Sequence, residues 1–387
     1  MPAKIWKLLD HADNTLVPDL TIGPEDVGTK GKWQIELRTL HGGLSEGVQE
    51  IRVNNGKLTV SILPTKGMGI WKAWLGDLEI GWKSPNRGPV HPMFIPSGEW
   101  SGLGWLDGFD ELLARCGLES NGAPEFDEKT GRVKYPLHGR IANKPAHFVS
   151  VSVDPDKEEI SVKGIVEETR FHFLKLRLTS VVTLKFGQTS FALRDEVENF
   201  SSTPAEMQML YHVNFGLPLL DGGSRLVAPA KTVVPRNERA ASGVKAWDSY
   251  AAPEPGYEEM VYFSELYAAD DGKTRVLLKN AHGTRGVSLL FNKRQLPCFS
   301  LWKDTAGEPD GYVTGLEPGT NFPNPRSYEG EQGRVVKLQP GERAAFDLSL
   351  EVHASGKEIE QAEAAVARIQ NDRELKVYDK PQQGWSA

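Results

Sequence analysis

Residues 146–200, "AHFVSVSVDPDKEEISVKGIVEETRFHFLKLRLTSVVTLKFGQTSFALRDEVENF", carry the reading that decides the fold. Val149, Val151 and Val153 alternate with polar neighbours, and Leu174, Leu176 and Leu178 do so again. Side chains along a strand point to opposite faces in turn, so a period of two marks strands with one face buried and one in water. That is the habit of long antiparallel strands.

The pattern continues on both sides of this stretch. Residues 57–84, "KLTVSILPTKGMGIWKAWLGDLEIGWKS", read as strand, turn, strand, turn, strand, with Pro64, Gly67, Gly69 and Gly76 between runs rich in Ile, Leu, Val and Trp. Residues 274–292 and 334–353 each read as two strands about a Gly-containing turn. Two segments read as helix. "LDGFDELLARCGL", 106–118, places Phe109, Leu112, Leu113 and Cys116 at i, i+3, i+4 and i+7 and closes on Gly117. Near the C-terminus Ile359, Ala362, Val366 and Ile369 share one side of an Ala- and Glu-rich run, which predicts a helix over 357–371 laid on the outside of a sheet. Residues 376–387 are expected to be a loosely ordered tail. With no internal repeat and no long polar linker, the expectation is one domain over 1–387, its core at about 45–355. The fold class is all-β, a large antiparallel β-sandwich with a few short helices and a C-terminal helix.

Composition narrows the function. Of 387 residues, 39% are hydrophobic and 25% charged, as in ordinary globular proteins, while 39 Gly and 25 Pro imply many turns. The formal charge of -7 comes with scattered basic residues, so the footprint of a nucleic-acid binder is missing and a small, neutral or weakly charged partner fits better. Cys116 and Cys298 lack any CxxC or Cys/His zinc spacing and read as buried thiols. Asp10, Asp13 and Pro18 interrupt the N-terminus before a signal-peptide core could form, and no uncharged apolar stretch nears 18 residues. A cytoplasmic protein with no membrane partner is expected. Nucleotide-loop, dinucleotide and zincin motifs are missing, and the one GxSxG string, around Ser45, precedes a strand-like run rather than a helix.

Three segments break the strand pattern with polar residues. "YPLHGRIANKPAHF", 135–148, holds His138 and Arg140. "EMQMLYHVNFGLPLLDGG", 206–223, puts Gln208, His212 and Asn214 on one parity and therefore on one face. "GYVTGLEPGTNFPNP", 311–325, holds Glu317, Asn321 and Asn324, preceded by Trp302 and Lys303. Taken alone, His212 also suits a hydrogen-bonded core position, Arg140 a surface turn and Glu317 a solvated loop. Three polar side chains on one strand face favour a ligand-facing surface, because each one buried unpaired costs roughly 1–3 kcal/mol. Amides for hydroxyls and an indole for a ring face are what a sugar site uses.

Together these segments resemble the galactose mutarotase-like superfamily, in its aldose 1-epimerase-related branch known as domain of unknown function 4432. "PLHGR" matches the family's first His segment, "VENFSSTPAEMQMLYHVNFG" its second and "GLEPGTNFPNP" its Glu segment, while "PTKGMGIWKAWLGDLEIGWKSP" and "GLGWLDGFDELLARCGL" look typical of the branch. The family's usual "NHxYFNL" is "YHVNFGL" here. The resemblance implies an enzyme that interconverts sugar anomers by ring opening, without metal or cofactor. Glu317 would be the base, His212 the acid, and His138 would orient the sugar. Arg140, Gln208, Asn214 and Lys303 are candidates for substrate hydroxyls or a substrate carboxylate, and Asp221 for the sugar-contacting Asp of the family. The implied partner is a small sugar or sugar acid, bound by a monomer or homodimer. Alternatives are another sugar epimerase, isomerase or lyase, a non-catalytic carbohydrate-binding protein, or a phosphosugar epimerase drawing on Arg87, Arg115, Arg140 and Arg326.

Overall fold

The computed structural model describes residues 2–387. Two large sheets carry almost all of the regular structure. In the ten-stranded sheet the alternating strands Phe148–Asp154, Glu159–Thr169, Lys175–Lys185 and Ser190–Asn199 run side by side and antiparallel, each pair in unbroken register. The fourteen-stranded sheet places Leu113–Leu118, Ala205–Gly216, Val313–Gly319, Cys298–Asp304 and Met260–Leu266 next to one another. Val151, Val162, Leu178 and Leu193 from the first sheet meet Ile51, Val60, Tyr211 and Leu316 from the second in one continuous core. Arg115 and Asp195 join the sheets through a fully buried ion pair, and the Tyr211 hydroxyl donates to the same carboxylate. The architecture is mostly β, with four short or terminal helices.

The chain's ends are woven into the sheets. Lys4–Asp10 pairs with Phe148–Asp154, and Gln34–Thr39 pairs with Gln49–Asn54, so the sheets extend beyond the expected boundary at residue 45. The C-terminal helix spans Gly356–Gln370. Ser355 caps its first turn by accepting from the Glu358 amide, and Ile359, Ala362 and Val366 pack on Leu277 of the ten-stranded sheet. The expected loose tail is instead docked. Lys376–Val377 pairs with Ala230–Pro235, Trp385 stacks on Phe322, and Asn324 donates to the Trp385 carbonyl.

The expected helix over 106–118 is not formed. Gly104–Gly108 is a short 3-10 turn, and Leu113–Leu118 is a strand paired with Ala205–Gly216. Every residue of that strand is buried, because one face meets the main core and the other meets the aromatic cluster of Trp82, Trp105 and Phe109. A strand buried on both faces shows no alternation, so the spacing of its apolar residues mimics a helix. The two strands expected in 334–353 form as Val336–Leu338 and Arg343–His353 about a Gly-containing turn, and the first pairs with Ala205–Gly216.

Candidate active site

The site is built from the outer face of the fourteen-stranded sheet. On Ala205–Gly216 the odd positions Met207, Met209, Tyr211, Val213 and Phe215 enter the main core, so Gln208, Leu210, His212 and Asn214 face the other way. The register that pairs Leu210 with Gly319 and Val213 with Leu316 puts Glu317 across from His212. Their side chains meet, His212 Nε2 lying 3.3 Å from Glu317 Oε1. Gly315 leaves the room: a Cβ there would sit 2.6 Å from Glu317 Oε1 and 3.2 Å from the rings of both His212 and Trp302.

His138 arrives from the turn after Val133–Tyr135. Its φ is positive, at 56°, and the next residue must also be tight, since a Cβ on Gly139 would lie 2.0 Å from the Ser120 carbonyl oxygen. Its Nδ1 donates to the Asn121 carbonyl at 3.0 Å, which leaves Nε2 as the acceptor. The His138 and His212 rings are 5.1 Å apart, and Trp105, Phe109 and Trp302 complete an aromatic box around His212.

Asn214 fixes the His212 tautomer. Its amide nitrogen donates to the carbonyls of Glu111 and His212, so its oxygen faces His212 Nδ1 at 2.5 Å and accepts from it. In the neutral ring the Nε2 lone pair is thereby directed at Glu317. Burial lowers the pKa of His212 well below the usual value and that of His138 to about 4, while burial raises Glu317 to about 8, with Glu259 adding to the rise. At neutral pH the Glu317–His212 pair therefore holds one proton, favoured on the carboxyl. Such a pair can give a proton at one atom and take one at another a few ångströms away.

A cavity of about 430 Å³ opens onto this pair, within the range of small-molecule sites. Aromatic and aliphatic side chains, among them Trp82, Trp105, Leu137 and Trp302, make most of its wall. Its charged rim is formed by Arg236, Glu259, Asp304 and Asp310. Arg236 pairs with Glu259 at 2.6 Å, and the Trp302 indole donates to the other oxygen of that carboxylate at 2.7 Å.

Of the sequence candidates, His138, His212, Glu317 and Trp302 line this cavity. Arg140, Gln208, Asn214 and Lys303 do not line it. Arg140 pairs with Glu119. Gln208 accepts from the Asn121 amide, four residues and roughly 13 Å of strand from His212. Asn214 lies behind His212, and Lys303 donates to the carbonyls of Ala246 and Ser249 under Tyr250. Asp221 caps a turn through Ser224 and the Ala281 amide, and Asn321 pairs its amide with that of Asn121. Sequence reasoning missed Trp105, Phe109, Arg236 and Glu259. Phe109 stands in the segment expected to be helix and Trp105 immediately before it, and only the pairing of Ala230–Pro235 with Met260–Leu266 brings Arg236 beside Glu259. Among the described residues, no group of three or more His, Cys, Asp or Glu is spaced to hold a metal ion.

Comparison with known proteins agrees with this fold. The family described as "Domain of unknown function (DUF4432)" matches residues 45–352. A solved structure from Klebsiella pneumoniae, described provisionally as an aldose 1-epimerase, is 35% identical, with 98% of this chain and 99% of that one covered and a TM-score of 0.94. A galactose mutarotase-like protein from Clostridium acetobutylicum is 15% identical, covering 83% of this chain and 98% of its own, with a TM-score of 0.56. The galactose 1-epimerase of Lactobacillus acidophilus is 14% identical, covering 84% and 100%, with a TM-score of 0.55. The last two share the fold. No curated protein matches the chain in sequence.

Proposed function

The chain belongs to the DUF4432 family, and we propose that it is an aldose 1-epimerase-like enzyme that interconverts the anomers of a sugar by acid–base catalysis. The observation that carries this reading is the carboxyl–imidazole pair of Glu317 and His212, 3.3 Å apart at the floor of an aromatic cavity and holding one proton between them.

Ring opening needs one proton removed from the anomeric hydroxyl and one delivered to the ring oxygen. With the pair's proton on His212, the Glu317 carboxylate takes the O1 proton while Nε2–H gives its proton to the ring oxygen. The bond from C1 to the ring oxygen breaks and the C1 carbonyl forms. The proton then rests on Glu317 and the imidazole is neutral, the distribution that burial favours in the free site. Rotation about C1–C2 presents the other carbonyl face, and the reverse transfers close the ring on the opposite anomer. Proton count is conserved at each step, and each positioned transfer typically contributes about 10² to 10⁴-fold. Neutral His138 offers Nε2 to a sugar hydroxyl, and the indoles of Trp105 and Trp302 offer apolar faces to the ring.

The phosphosugar alternative finds no support in the arginines named for it. Arg115 is buried against Asp195, Arg140 pairs with Glu119 and Arg326 with Glu206, and neither these nor Arg87 lines the cavity. The test is anomer exchange by magnetisation-transfer NMR over a panel of aldoses, uronic acids and sugar phosphates. Acceleration with one sugar class that collapses in Glu317→Gln supports the assignment. Binding without acceleration across the panel rejects it in favour of a carbohydrate-binding role.

A further inference from the structure

Part of the cavity mouth is made of carbon. Leu103 and Leu106 line the cavity yet are 42% and 46% exposed, so each runs from the interior to water. Leu103 precedes the turn Gly104–Gly108 and Leu106 lies within it, and the turn Pro92–Phe94 packs against it. The same segment exposes Phe94 at 47%, Met93 at 80% and Trp100 at 87%. Several of the polar groups in and beside it are occupied internally. The Glu99 carboxylate accepts from the amides of Ser101 and Leu103 and from the Ser101 hydroxyl, the Asn86 amide donates to the carbonyls of Leu106 and Phe109, and His91 Nδ1 accepts from the Met93 amide. A hydroxyl-rich group would find few partners there, whereas an apolar group would remove carbon surface from water.

From Leu103 and Leu106, which carry the cavity wall out to water beside the packed turn Pro92–Phe94, we propose that segment 92–106 is an outer subsite for an apolar substituent, aryl or alkyl, carried by the sugar. This rests on the reading that a sugar ring occupies the cavity with O1 and the ring oxygen at Glu317 and His212. C3 and C4 then lie across the ring from the reacting atoms and point to the mouth. The substrate class is an aldose bearing an apolar group on its C3–C4 edge.

Binding without reaction separates this from the epimerase reading. Isothermal titration calorimetry would compare 1,5-anhydroglucitol and 1,5-anhydrogalactitol, which lack the anomeric hydroxyl, with their 4-O-benzyl ethers. At least one ether should bind ten times or more tighter than its parent, in line with what a filled apolar pocket discriminates. Phe94→Ala/Trp100→Ala, two positions outside the cavity lining, should abolish that advantage and leave the parent's affinity unchanged. Equal affinity of ethers and parents, or an advantage that survives the double variant, overturns the proposal. So does sedimentation showing a dimer that the double variant dissociates, since the segment would then cover a second copy of the chain. Tighter ether binding with no anomer exchange on any aldose would keep the subsite and sink the epimerase reading.

Discussion

Replacing Glu317 with Gln should stabilise the protein, and the gain should grow with pH. Burial raises the folded-state pKa of this carboxyl from 4.5 to about 8. Between those values the folded chain holds a proton that the unfolded chain has released, so stability falls as pH rises. Below 4.5 both states are protonated and the wild type carries no such cost. Each pH unit between is worth about 1.4 kcal/mol, which gives a cost of under about 1 kcal/mol at pH 5, about 3 at pH 7, about 4 at pH 8 and about 5 well above it. Gln is the uncharged isostere of the protonated form, and its amide can still donate to His212 Nε2. The difference between variant and wild type therefore contains a pH-independent offset from changed contacts plus this rising term. Asp110 and Glu168, also raised by burial to about 7, titrate in both proteins and cancel. Urea unfolding of both proteins at pH 5, 6, 7 and 8 measures the term directly. Parallel stability curves across that range would refute the argument, because they would mean Glu317 is ionised at its ordinary pKa. The same variant should lose anomer exchange by at least about a hundredfold, the low end for removing one positioned acid or base.

His212→Ala should reduce exchange by at least about a hundredfold while near-ultraviolet circular dichroism stays native, and wild-type exchange in this variant would remove the residue from the mechanism. The rate should be level through neutral pH and fall as pH rises through about 8, where the pair loses its shared proton and with it the acid; a loss beginning near pH 5 would contradict the raised pKa of Glu317. Asn214→Ala should lower kcat about 10- to 100-fold with a smaller change in KM and a displaced alkaline limb, because it frees the His212 tautomer without touching substrate; an unshifted profile would make Asn214 merely structural. Arg115→Met should cost about 3–5 kcal/mol in denaturant unfolding, since it strands the buried Asp195 charge, and a loss under 1 kcal/mol would show that the ion pair is not buried as described.

Strand content is legible in the chain itself, because it is local, whereas the acid–base roles proposed for His212 and Glu317 come from the resemblance of their segments to a family. A period of two records burial on one face, as in Val149 to Val153, and parity alone put His212 and Asn214 on the same side of their strand. The "PLHGR" and "GLEPG" segments carry their glycines next to His138 and Glu317 because neighbouring backbone and side chains leave no space for a Cβ. What parity cannot give is what covers a face. Gln208 and His212 share a side, yet Asn121 closes over one and a cavity opens over the other. Sequence marks Asn214 by its shared face with His212 and Lys303 by its place beside Trp302, but only the folded chain shows that Asn214 bonds His212 and Lys303 donates to two carbonyls. Residues 106–118 were misread for a related reason: Leu113–Leu118 is enclosed by core on one face and by the aromatic cluster on the other, so its sequence records burial without direction. The pKa values of the pair also belong to the tertiary structure, because desolvation depends on every atom that excludes water from Glu317. Sequence alone determined which runs form strands and which polar residues share a face, because both follow from a local period of two; only long-range strand pairing decided which groups meet, which are shut away, and which proton the site holds.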